Sequence, residues 1–169
     1  MRKAALTLGV SFSSGVNVVD VGKAVTTRLA ELEYTRPVGM DVSVIYNQPG
    51  QQSIALNRVL GRDASQIYGN LKANGQVFLL NPNGILFGRG AQVDVGGLVA
   101  STKAMSNNDF ISGTYTLTSR RHEGKLVNQA NLHTTKGGYI ALIGQQVDNQ
   151  SSGVINAPQG KVAFASGSR

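Results

Sequence analysis

From residue 46 onward, runs of three to five apolar or β-branched residues return at a loose interval of about 20 residues, each bounded by Gly, Asn or both. The runs are QVFLL (76–80), ILF (85–87), QVDV (92–95), LVA (98–100), TYTLT (114–118), YIALI (139–143) and KVAFA (161–165). Val77, Val99, Ile140 and Val162 follow similar Gly-containing turns at separations of 22, 41 and 22, and Thr116 lies near the middle of the long interval. Residues 131–144 also align without gaps on 154–167, sharing an apolar second position, a seventh-position Gly and a final Gly. A unit this short cannot bury its apolar face alone, whereas stacked units build one continuous core with each strand paired above and below. The pattern therefore predicts an all-β chain, a right-handed parallel β-helix with Val77, Val99, Ile140, Val162 and Phe164 pointing inward and Asn and Gly at the corners. A β-sandwich of hairpins is the ordinary alternative. The period and the Asn content favour the helix, because stacked Asn side chains form ladders.

Composition places a seam near residue 46. Residues 1–45 hold no Gln and a single Asn, Asn17, whereas 46–169 hold all 11 Gln and 12 of the 13 Asn. Two parts follow, an atypical N-terminal segment at 1–45 and the β-helix domain at 46–169. Within the first part, residues 22–34 carry Val25, Leu29 and Leu32 on one helical stripe, which suits a short surface helix or a frayed end. Residues 1–40 are expected to pack loosely and to hold the chain's one substantial helix. Residues 1–10 have a basic start and an apolar run but lack a small-x-small cleavage site, so they do not read as a secretory signal. Farther on, residues 56–68 hold either a helical turn or two, or a corner at Asp63-Ala-Ser-Gln66.

Several function classes lose their chemistry on this sequence. There is no Cys, and the two His, His122 and His133, lack a ligand-like spacing, so no metal or cofactor site is expected. The net charge of +7 is scattered, with Arg2-Lys3 and Arg120-Arg121 the adjacent pairs, and no aromatic platform accompanies it. Nucleic acid is therefore not the expected partner. A β-helical polysaccharide lyase or hydrolase needs clustered carboxylates, but Asp63, Asp94, Asp109, Glu123 and Asp148 stand far apart. Neither His sits beside a nucleophile elbow. The expectation is a protein that is not an enzyme.

The most informative local string is Asn81-Pro82-Asn83-Gly84-Ile85. Pro82 suits the first central position of a type I turn, Asn83 tolerates the second, and Gly84 accepts the left-handed backbone that follows. With apolar runs on both sides, the expected form is a β-hairpin excursion with a bulge at Gly84.

In its wider context, GQVFLLNPNGILFGRGAQVDVGGLVAST at 75–102, this string resembles the two-partner secretion domain. That domain, also called the haemagglutination activity domain, occurs in filamentous haemagglutinins, high-molecular-weight adhesins, secreted haemolysins and contact-dependent inhibition toxins. Upstream, Asn57-Arg58-Val59 within ALNRV and the stretch Gln66-Ile67 through Gly69-Asn70-Leu71 also match, as do Val127-Asn128-Gln129 and Val154-Ile155-Asn156 downstream. The resemblance runs over some 120 residues, from 46 to 167. It implies an N-terminal secretion-targeting domain of a large exported protein, recognised by the periplasmic domains of an outer-membrane β-barrel transporter. The product would be secreted or held at the bacterial surface after passage through the periplasm. Host surface receptors would be engaged by the passenger beyond it, although a direct adhesion module is a third reading. The family normally opens with capping strands bearing a Trp-x-Ser-Phe-Asn-like segment and continues into a long passenger. Residues 1–40 show no such segment and the chain stops at Arg169, so a C-terminally truncated domain with a non-native N-terminal segment is expected.

Overall fold

The computed structural model describes residues 44–46 and 50–167, and the helix-compatible stretch at 22–34, with the loose packing expected of 1–40, lies outside the described residues. The described strands form a parallel β-helix with three faces. Rung 1 holds β1 (Val44–Tyr46), β2 (Ile54–Arg58) and β3 (Ser65–Ile67). Rung 2 holds β4 (Asn70–Ala73), β5 (Gln76–Leu80) and β6 (Ile85–Phe87). Rung 3 holds β7 (Gln92–Val95), β8 (Gly97–Ser101) and β9 (Lys125–Asn128). Rung 4 holds β10 (Asn131–Thr134), β11 (Tyr139–Gly144) and β12 (Gln146–Asn149), and rung 5 holds β13 (Val154–Asn156) and β14 (Lys161–Ser166). Sheet A stacks β1-β4-β7-β10-β13, sheet B stacks β2-β5-β8-β11-β14 and sheet C stacks β3-β6-β9-β12. Every named strand pair is parallel.

Alternation along each strand sends one row of side chains into the coil. Leu71, Val93, Leu132 and Ile155 stack in sheet A, while Val77, Leu98 and Ile140 stack in sheet B. Ile85 and Leu126 stack in sheet C. Most of these are 0 to 1% exposed, and they form one core with Phe87, Ala100 and Leu142. The Asn ladder expected at the corners is present. Asn128 Nδ2 donates to Asn149 Oδ1 at 2.7 Å, and Gln129 Nε2 to Gln150 Oε1 at 2.7 Å, one rung apart.

Inward packing holds for Val77 and Ile140. Val162 and Phe164 are in register with inward-facing Ile140 and Leu142, but on rung 5 they remain 46% and 52% exposed. Val99 faces the other way, because Leu98 takes the position opposite Val77 and Ile140. The cause is the turn before it: two residues separate β4 from β5, whereas Gly96 alone separates β7 from β8. A Cβ on Gly96 would lie 2.8 Å from the Gly75 carbonyl oxygen, so the tightened corner needs glycine. The gapless match of 131–144 on 154–167 slips in the same manner. Asn131 pairs with Val154, an offset of 23, but Tyr139 pairs with Lys161, an offset of 22. A slip of one residue exchanges the faces of a strand.

The run at 114–118 is not a rung strand. Residues 102–124 leave the coil between β8 and β9, carry the helix α1 (Asn107–Ile111), and close with an antiparallel bridge between Ala104 and Thr118. Ser106 caps α1, its Oγ accepting from Asp109 N at 3.0 Å. This excursion covers the outer face of sheet B, where Phe78, Leu80, Val99 and Met105 form a second buried cluster with Phe110 and Leu117 packed against it. Between residues 56 and 68 the structure has the ends of β2 and β3 joined by a corner, with no helical turn.

The two ends of the inward row should differ in energy. Leu98→Ala, at a fully buried inner position, is expected to cost about 3 kcal/mol. Val162→Ala, half exposed on rung 5, should cost less than ~1 kcal/mol. Urea unfolding of the purified variants measures both, and equal losses would contradict the inward assignment of Leu98.

Candidate functional site

The string at residues 81–85 is a coil corner, not the hairpin that its turn chemistry suggested. β5 and β6 on either side of it belong to sheets B and C, and each pairs with the rungs above and below instead of with the other. The local turn is as expected: Gly84 N donates to Asn81 O at 3.1 Å, with Pro82 and Asn83 in the central positions. Gly84 has φ +125°, a backbone that side-chain-bearing residues rarely adopt.

Asn81 is 0% exposed, and its amide is fully used. Nδ2 donates to Asp63 O at 3.0 Å and to Ser65 Oγ at 2.9 Å, both on the corner of rung 1. Oδ1 accepts from Asn83 N at 2.9 Å and Asn83 Nδ2 at 3.1 Å, holding the turn closed. Asn83 is exposed, yet Nδ2 also donates to Gly61 O at 2.8 Å. Above the turn lies rung 3, where Gly124 N donates to Pro82 O at 2.8 Å. A Cβ on Gly124 would collide with the Asn83 carbonyl, so the stacking distance is available to glycine alone. Ile85 is 1% exposed in the core. One corner is thus locked to the corners below and above it, and of the five motif residues Asn83 is the one left exposed.

The upstream segment lies directly beneath. Arg58 pairs with Leu80, and Val59 N donates to Leu80 O at 2.9 Å, so Asn57, Arg58 and Val59 lead into the same corner one rung earlier. Asn57 Nδ2 donates to Ala55 O at 3.4 Å. The Arg58 guanidinium reaches the excursion, with Nη1 on Asn107 Oδ1 at 2.7 Å and Nη2 on Met105 O at 2.8 Å. Nothing in the local sequence marks Gly124 or the rung 1 carbonyls as partners, since they lie some 20 to 40 residues from the motif.

The acidic residues are dispersed over the coil. Asp94 lies on sheet A beside His133, with Oδ1 and Nδ1 3.4 Å apart, and Asp148 lies on sheet C. Asp109 belongs to α1, and Glu123 sits at the neck of the excursion 3.8 Å from Lys103 Nζ. Lys103 Nζ also donates to Ser119 Oγ at 2.5 Å and Gly167 O at 3.1 Å, so two of its donors are hydrogen-bonded and its charge faces Glu123. Among the described residues no three His, Asp or Glu side chains converge as metal ligands. A shallow polar cleft lined by Gln51, Gln52, Gln76, Lys136 and Tyr139 has the Tyr139 hydroxyl donating to Gln76 Oε1. Burial, with a smaller contribution from Tyr115, pushes the Tyr139 phenol up to about 12.

This arrangement has close counterparts among known proteins. A crystal structure of the HMW1 secretion domain from Haemophilus influenzae matches with a TM-score of 0.71 and 34% identity, covering 75% of this chain and 34% of that one. A heme/hemopexin-binding protein of Haemophilus influenzae strain Rd is 37% identical over 138 residues, 77% of this chain and 15% of the relative. A second Haemophilus influenzae heme/hemopexin-binding protein is 39% identical over 92 residues, 54% of this chain and 10% of the relative. The match therefore spans 15% or less of the length of these curated relatives. A family model described as the TPS secretion domain matches residues 37–169, and the chain belongs to that family, the secretion-targeting domains of large exported proteins.

Proposed function

We propose that this domain is recognised while still extended, by the periplasmic domains of an outer-membrane β-barrel transporter, and that it folds after passage through the barrel. The observation that carries this reading is the burial of the motif. Asn81 and Ile85 are 0% and 1% exposed in the folded coil, so a partner can read them only before the rungs close. An extended chain offers unpaired main-chain groups along its whole length and suits strand addition to a partner's sheet edge. Folding then removes the recognised form. Each rung that stacks outside the membrane gains burial and strand pairing that the threaded chain lacks, and this opposes back-sliding.

On this reading the domain is non-catalytic and reaches the surface or the medium by way of the periplasm. The passenger of a parent exoprotein carries the further activity. Adhesin, haemolysin, inhibition toxin and, from the names of the two relatives, a heme/hemopexin-binding protein are its candidate types, with host receptors engaged there. A separate N-terminal segment, its sequence foreign to the β-helix code, precedes rung 1, whose first strand already holds Val44 and Ile45.

Three substitutions separate recognition from folding in a full-length parent with its signal and barrel partner. Asn81→Ala removes a buried amide with several partners and is expected to destabilise the purified domain by about 2 to 3 kcal/mol. Gly84→Val forces a β-branched residue onto a positive-φ position beside the Lys125 carbonyl and should fold worst. Asn83→Ala keeps an allowed backbone at an exposed position and should cost about 1 kcal/mol. All three are expected to lower surface delivery and leave degraded material in the periplasm, Gly84→Val most. With the purified variants held unfolded in the same urea, an Asn83→Ala chain that binds the periplasmic domains more weakly than the wild type makes the corner a recognition element. Equal binding by the unfolded wild type and all three unfolded variants makes it a turn, and normal delivery of all three removes its secretory role.

A further inference from the structure

We propose that residues 102–124 are a strap that ties rung 1 to rung 5, so that the five stacked rungs open and close as one unit. In a solenoid each repeat touches its immediate neighbours only, and end rungs fray independently of the middle. The excursion breaks that rule. It branches from rung 3, between β8 and β9, and its two ends meet where Ala104 and Thr118 exchange main-chain hydrogen bonds at 2.8 and 2.9 Å. The loop beyond this bridge can therefore be laid down or lifted without altering the path of the coil.

Its far end is held by rung 1. Arg58, at the end of β2, donates Nη1 to Asn107 Oδ1 at 2.7 Å and Nη2 to Met105 O at 2.8 Å, across 49 and 47 residues of sequence. Arg58 Nε is buried without a hydrogen-bond partner. A cation with a dehydrated donor is costly unless its remaining donors are well matched, so these two bonds set whether the side chain is stable under cover. Over rung 2, Phe78 meets Phe110 and Tyr115 edge-on, with centroids 6.2 and 5.2 Å apart. The exposed end of α1 makes no such contact, since Ile111 is 81% exposed.

The near end is held by rungs 4 and 5. Thr102 N donates to Ile143 O at 3.0 Å, and Lys103 Nζ to Gly167 O at 3.1 Å immediately after β14. Glu123, on the returning limb, accepts from Arg120 N at 2.8 Å and faces Lys103 at 3.8 Å, the two side chains being 2% and 9% exposed. A buried Lys and Glu stripped of a partner are strongly destabilising, so the neck is complete only when the Gly167 carbonyl is in place. Rungs that are not neighbours thus share one element. A partial stack lacks the neck's last acceptor, stays readily reversible, and commits when rung 5 closes.

Native-state hydrogen exchange of the 169-residue chain, read by mass spectrometry at β2 and β11, tests the coupling. The wild-type strands should exchange within a few-fold of each other through one common opening. Arg58→Met removes the guanidinium but keeps a long stem, and should speed β2 exchange about 30-fold relative to β11, within the range for lost charged hydrogen bonds. A shortened chain, with residues 105–117 replaced by Asn-Gly between Ala104 and Thr118, should raise the same ratio at least as far. A ratio of β2 to β11 exchange unchanged in Arg58→Met would overturn the strap. So would a shortened chain that accelerates both strands equally, because that outcome describes lost stability without lost coupling.

Discussion

A rung of this coil carries an inner row of apolar side chains that its own short strands cannot enclose, and the missing enclosure comes from the rungs on either side. Parallel, in-register stacking supplies it, since each main-chain ladder and each inner row continue from rung to rung. The corners answer to the same demand. Gly124 lies so close above the Asn83 carbonyl, and Gly160 above that of Gly138, that any side chain would separate the rungs. Asn81 and Asn128 spend their amides on neighbouring corners for the same purpose, since a corner turned out of a buried coil leaves peptide groups that need partners.

This dependence explains what was legible in the sequence. The recurrence of short runs disclosed stacked strands, and Asn81-Pro82-Asn83-Gly84 disclosed a turn, because both are local signals. Facing was harder to read. Gly96 alone forms the corner before β8, so Leu98 took the inward place expected for Val99, and the unequal spacing between rungs 4 and 5 slipped the gapless match by one residue. Residues 114–118 look like a strand because Tyr115 and Leu117 are apolar, but those side chains cover the outer face of sheet B. The partners of the motif left no trace near it. Gly61, Asp63 and Ser65 come from the rung before and Gly124 from the rung after, and contact across rungs has no sequence neighbourhood to mark it.

The proposed secretory reading draws on the same geometry. A motif read by a transporter must be accessible, whereas stacking buries Asn81, Pro82, Gly84 and Ile85. On the proposed reading, recognition and folding are alternatives for the same residues, and a chain that has stacked cannot return to its extended form without losing its rungs. The turn is therefore suited to act twice, first as an exposed segment and then as a lock between corners.

The direct test is the affinity of the purified 169-residue chain for the transporter's periplasmic domains as a function of the fraction unfolded, set by urea below the partner's own transition. The account predicts that bound chain rises in proportion to the unfolded fraction, and that a destabilised core variant such as Leu132→Ala binds more at every urea concentration where the wild type is folded. Equal binding by the fully folded wild type and the destabilised variant, without urea, would contradict it.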